Sequence, residues 1–93
     1  MLQLELLDQL AEQAGRTGDI DEALRLYQEA IAAAPLDEHR YEQSIALALA
    51  NRRHERASRL MQQARAVLEE LGVGPSPALA GLMRELGAPG SGD

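Results

Sequence analysis

Laid on residues 38–71, residues 4–37 agree at eight of 34 positions, and six of the eight fall between Ala23 and Ala32. Self-similarity at a fixed period of this length restricts the fold more than any other feature of the chain. Each copy is one supersecondary unit whose apolar face finds cover only against the next copy, so the chain must stack. Ala23 falls on Ala57, Leu26 on Leu60, Tyr27 on Met61 and Ala30 on Ala64. A period of 34 residues suits a pair of helices joined by a tight turn.

Gly and Pro punctuation breaks the chain at 15–18, at Pro35, near 51–54, at 72–77 and from Gly87 onward. The pieces between the breaks predict five helices. The first runs from about residue 2 to 14 with Leu7, Leu10, Ala11 and Ala14 on one stripe. The second opens on Asp19 and Glu22, a D-x-x-E pair that predicts a capping box. Its stripe is Ile20, Ala23, Leu24, Tyr27, Ala30, Ile31 and Ala34, and Pro35 ends it. The third begins at Asp37 as N-cap and ends near Asn51. From Ile45 to Ala50 it is apolar all round, which predicts cover on more than one side, although Leu47 and Leu49 face directions that two hairpins need not reach. The fourth carries Ala57, Leu60, Met61, Ala64, Leu68 and Leu71 and stops at Gly72, a left-handed cap. The fifth is short: Ser76 caps it, Pro77 takes its first turn, and Leu79, Leu82, Met83 and Leu86 form its stripe. Residues 87–93 read as a tail or linker. Ala and Leu dominate, Phe and Trp are absent and the aromatics are Tyr27 and Tyr41, so material for a sheet is lacking. The expected fold is all-α: two stacked helical hairpins and a short C-terminal capping helix.

Two stretches carry a family resemblance. Gly18-Asp19-Ile20-Asp21-Glu22-Ala23 followed by Tyr27, Ala30 and Pro35 resembles the second helix of a tetratricopeptide repeat. The second copy departs from that pattern, with Arg52 for Gly18, Ile45 for Ala11 and Glu69 for Pro35, so its last helix runs on to Leu71. Leu68-Glu69-Glu70-Leu71-Gly72-Val73-Gly74-Pro75-Ser76-Pro77-Ala78-Leu79 is similar to the end of the bacterial transcriptional activator domain, the tetratricopeptide-like module of regulators of the antibiotic-regulatory-protein type. Pro35-Leu36-Asp37-Glu38 followed by Tyr41 resembles that family's link into its penultimate hairpin. The resemblance covers residues 4–86 and implies one domain over 1–86, a piece of a longer helical domain. It also implies a non-catalytic interaction module of a transcriptional regulator, and with no basic stretch before the N-terminal Leu residues to suggest a signal peptide, a cytoplasmic protein is expected. Family members usually carry a winged-helix DNA-binding domain upstream, and no segment here matches one. A stand-alone tetratricopeptide adaptor or oligomerisation domain, unrelated to transcription, is the alternative reading.

Composition argues against chemistry. The nine basic residues are all Arg, so the lysine of a phosphate loop and lysine nucleophiles or bases are absent. No Cys is present, no apolar run reaches the length of a membrane span, and His39 and His54 lie on different predicted helices. No cofactor or metal is expected. Asp37-Glu38-His39 splays around a helix start and reads as capping and solvated charge. Net charge −6, with a balance of −5 in residues 1–34 alone, disfavours nucleic acid as a partner.

Two candidate docking patches remain. The resemblance places ligands on the concave face lined by the first helix of each pair. Carried over, that face comprises Glu5, Asp8, Glu12 and Arg16 in the first copy, and His39, Glu42, Ala46, Leu49 and Ala50 in the second. Its acidic part suits a basic segment of a protein partner or a neighbouring domain of the same regulator, and a solvated helix face accounts for the same residues. The basic cluster Arg52, Arg53, Arg56 and Arg59 suits an acidic partner or neighbouring domain, or is a solvated turn with Glu55 and Arg59 paired at i, i+4. Self-association is a further expectation.

Overall fold

The computed structural model describes residues 2–87, with side chains from Leu4 onward. Among them are five helices and no strand: α1 (Leu2–Arg16), α2 (Ile20–Ala33), α3 (Glu38–Ala50), α4 (His54–Leu71) and α5 (Pro77–Gly87). The first four form two hairpins, α1 with α2 and α3 with α4, and α2 packs on α3 to join them. The stack measures 40 × 33 × 18 Å, so its thin dimension holds about two helix diameters.

Both hairpins turn in the same way. In the first, Gly18 adopts φ +89°, and the Asp19 N–H donates back to the Ala14 carbonyl at 2.8 Å. In the second, Arg52 stands in place of that glycine with φ +60°, and the Arg53 N–H donates to the Ala48 carbonyl at 2.7 Å. The turn geometry therefore repeats although its glycine does not. It also removes the predicted capping box. The Asp19 side chain makes no cap bond. The backbone donor that Glu22 would have satisfied is already taken by α1, so Glu22 turns to Arg25 at 2.7 Å instead. The cap at α3 does form, with Asp37 Oδ1 accepting from the His39 N–H at 3.2 Å. Gly72, at φ +71°, ends α4 as the sequence predicts.

The core has two parts. The larger gathers Leu24, Ile31, Tyr41, Ile45, Leu60 and Met61 with Leu68 and Leu79. The smaller sits between α1 and α2 around Ala11, Leu26 and Tyr27, and Leu47 packs against both. Ala11, Ala23 and Ala57 are fully covered, which fits small residues where paired helices approach closely. Leu47 and Leu49 are half-buried against the core, so α3 is better covered than its position in two hairpins suggested; Ala46 and Ala50 stay exposed. Two stripe residues are not covered: Leu10 is 42% and Leu71 48% exposed. The cause at Leu10 is position, since α1 ends the stack and packs along its length against α2.

α5 lies against α3 and α4 as a cap. Ser76 fixes its start: its hydroxyl accepts from the Leu79 N–H at 3.1 Å and donates to Glu42 Oε2 at 2.5 Å, while its own N–H donates to Glu38 Oε2 at 2.7 Å. Leu79 is fully buried, whereas Leu82, Met83 and Leu86 are half-buried against the same core as Met61, Ala64 and Leu68. Of the predicted tail, Gly87 belongs to α5, and 88–93 lie outside the described residues.

Candidate docking faces

α1 and α3 flank a groove of about 440 Å³ lined by Ala11, Glu12, Arg16, Tyr27, Ala46 and Leu47, among others. Two contacts set its width. At one end Arg40, only 9% exposed, places its guanidinium on Asp8 in a bidentate pair at 2.9 and 2.8 Å, and reaches Asp37 at 2.7 Å. At the other, Gly15 faces Leu47, and a Cβ built there would rest in ordinary van der Waals contact with the Leu47 side chain, at 3.6 Å. Asp8 to Arg40 and Gly15 to Leu47 are both offset by 32 residues, so α1 and α3 run in register with the groove between the two contacts. The hydrogen bonds it donates to Asp8 hold the Arg40 guanidinium charged, its pKa raised above the ordinary arginine value, with the charges of Asp8 and Asp37 adding to the effect.

The residues expected on this face meet different fates. Glu12 and Arg16 line the groove. Glu5 lies exposed on the same side of α1, one turn from Asp8. Asp8 is occupied by Arg40, and Glu42 by Ser76. His39 is exposed with Nδ1 3.6 Å from Glu42 Oε1, and Leu49 packs on the core. Arg40, Tyr27 and Gln43 are the contributors that sequence reasoning did not single out. A register of 32 rather than 34 between facing helices would have paired Asp8 with Arg40, but that offset is a property of the stack. The Tyr27 phenol is pushed above its usual pKa by burial first, then by the carboxylates of Glu12 and Asp8.

The arginine cluster is split by the turn. α4 begins at His54 with Arg53 as N-cap, so Arg52 belongs to the turn and does not share the helical face of Arg56 and Arg59. Arg53 and Arg56 share Asp21 of α2, at 3.3 and 3.7 Å. The expected Glu55–Arg59 pair is not formed: among the described residues no carboxylate lies within 4 Å of the Arg59 guanidinium. Asp37, Glu38 and His39 point to three different tasks: the α3 cap and Arg40, Ser76, and solvent.

Paired helices repeated in register, with a groove between the first helices and a terminal cap, define a tetratricopeptide-like helical-repeat domain. No helix is long and apolar enough to cross a membrane among the described residues. The family model described as the bacterial transcriptional activator domain matches residues 1–86, and the chain belongs to that family, a regulatory and non-catalytic one. No curated protein and no solved structure matches the chain.

Proposed function

We propose that this domain is a cytoplasmic docking module of a bacterial transcriptional regulator. It grips a basic, partly apolar segment of another protein, or of a neighbouring domain of the same regulator, in the groove between α1 and α3. The observation that carries this reading is the groove's construction. An apolar floor of Ala11, Tyr27, Ala46 and Leu47 is spaced by fixed contacts at both ends, and its rim carries Glu12 and Arg16, with Glu5 further along α1 leaving the edge acidic by one charge. An apolar floor supplies burial and a charged rim selects the partner's sign.

Ala46→Arg, which puts a cation on the floor at an exposed site, is the direct test. In the native gene it is expected to abolish regulated transcription, while the purified domain keeps its melting temperature. Normal transcription with the floor filled would remove the groove as the docking face. Normal transcription after deletion of residues 2–87 would remove the regulatory reading altogether.

Self-association is favoured by a separate observation. Leu6 and Leu10 of α1 are 55% and 42% exposed, and Leu10 borders a second depression with Ala14 and Leu26 at the open end of the stack. Sedimentation of the wild-type chain against Leu10→Glu checks it: a dimer that the substitution turns into a monomer supports the reading, and a wild-type monomer ends it.

A further inference from the structure

α2 and α4 repeat a stripe that packing does not require. Of the six identities between their sequences, Ala23, Leu26 and Ala30 recur as buried residues, whereas Arg25, Gln28 and Ala32 recur as Arg59, Gln62 and Ala66 on the open face. The two copies differ in what surrounds the arginine. Arg25 is held by Glu22 and Glu29 of its own helix. The repeat equivalents of those carboxylates are Arg56 and Gln63, so Arg59 has lost both partners. It stands instead on the wall of an open groove of about 370 Å³ between α2 and α4, together with Gln28, Gln62, Gln63 and Ala66.

Charge is lopsided beside that groove. Arg53 and Arg56 share one carboxylate, Asp21, and Arg52 and Arg59 add two further exposed cations against the exposed Glu55, so four cations face two carboxylates in a chain whose net charge is −6. We propose that the α2/α4 groove docks an extended acidic segment of a protein partner, with a carboxylate on the Arg59 guanidinium and peptide groups on the glutamine amides. A guanidinium binds carboxylate through two parallel N–H donors, and each glutamine offers both a donor and an acceptor, the complement of a peptide unit. Ala66 keeps the floor low enough for a backbone to approach. This surface adds to the docking role and makes no use of the α1/α3 groove.

The test is fluorescence anisotropy of the purified domain with a labelled peptide of alternating Glu and Ser, against the same peptide with Gln for Glu. The acidic peptide is expected to bind at least about tenfold more tightly and to weaken with added salt. Arg59→Gln should bring it to the level of the Gln peptide. Gln63→Glu rebuilds in α4 the pair that Arg25 makes with Glu29, so it should remove the preference without lowering the melting temperature. Arg25→Gln should leave the preference intact. Equal binding of the two peptides, a preference that survives Gln63→Glu, or displacement of the acidic peptide by duplex DNA would each overturn the proposal. Transcription in the Ala46→Arg strain reads the other groove, so the two surfaces fail separately.

Discussion

Arg52 occupies a left-handed backbone position that costs an L side chain about 1–2 kcal/mol. Arg52→Gly should therefore raise stability by about 1 kcal/mol net of the entropy glycine adds to the unfolded chain, read as a higher urea midpoint. Arg40 is the opposite case, a cation almost enclosed by carboxylates that bind α1 to α3. Asp8→Asn removes the charge that holds it and should cost about 1–2 kcal/mol, less than for a fully buried pair because Asp8 is about one-third open to water. Paired melts of the two proteins measure it. The tyrosines set the alkaline limit. Burial raises both phenols above their ordinary pKa, so the folded state keeps protons that the unfolded chain has begun to lose. Their contribution is complete below about pH 10 and falls as pH climbs through the raised folded values. Denaturant midpoints should decline over the range where tyrosinate absorbance appears, and a flat profile there would refute it.

Helices α1 to α4 are legible one by one because a covered stripe and a stop signal fall together in each. Where stripe and cover part, the reason is the neighbour. Leu10 has the right spacing on α1 and no helix against it; Leu47 has less regular company and packs against both parts of the core. α5 shows how a short helix is held. Its stripe has one fully buried member, Leu79, so its start matters more than its length. Ser76 caps it and is itself gripped by Glu38 and Glu42, one helical turn apart on α3. Ser76→Ala should cost about 1–2 kcal/mol, and hydrogen exchange should show the loss across residues 79–86 before it reaches α2. Uniform loss across all five helices would mean that α5 is inseparable from the rest of the core.

At the scale of the whole molecule, two clusters behave as one domain only if something couples them. Leu47, together with the α2–α3 contact, is the link. Leu47→Ala should cost about 2 kcal/mol, reduced from a fully buried site because the side chain is half-covered, and should loosen α1 more than α4. Exchange rates of α1 amides rising while those of α4 hold would show it, and equal changes would mean that the stack melts as a unit.

The 34-residue self-similarity, the Gly and Pro stops and the stripe spacings belong to the sequence, and they suffice for helix number, order and hairpin pairing. These are local or periodic features, fixed by backbone geometry within a few residues. The family resemblance is equally local, carried by the run from Leu68 to Leu79. Which polar residues are left to meet a partner is a different kind of fact. Asp8 and Glu42 have the same chemistry as Glu5 and Glu12, yet Arg40 and Ser76 occupy the first two, and Arg59 is open where Arg25 is closed. The pairing of Asp8 follows from α1 and α3 meeting at an offset of 32 while the sequence repeats at 34, that of Glu42 from α5 folding back onto α3, and the opening of Arg59 from the repeat itself, which puts Arg56 and Gln63 where Glu22 and Glu29 stand. The offset of 32 exists only once the helices have packed, because it is set by where Arg40 finds Asp8 and where Leu47 comes to rest against Gly15.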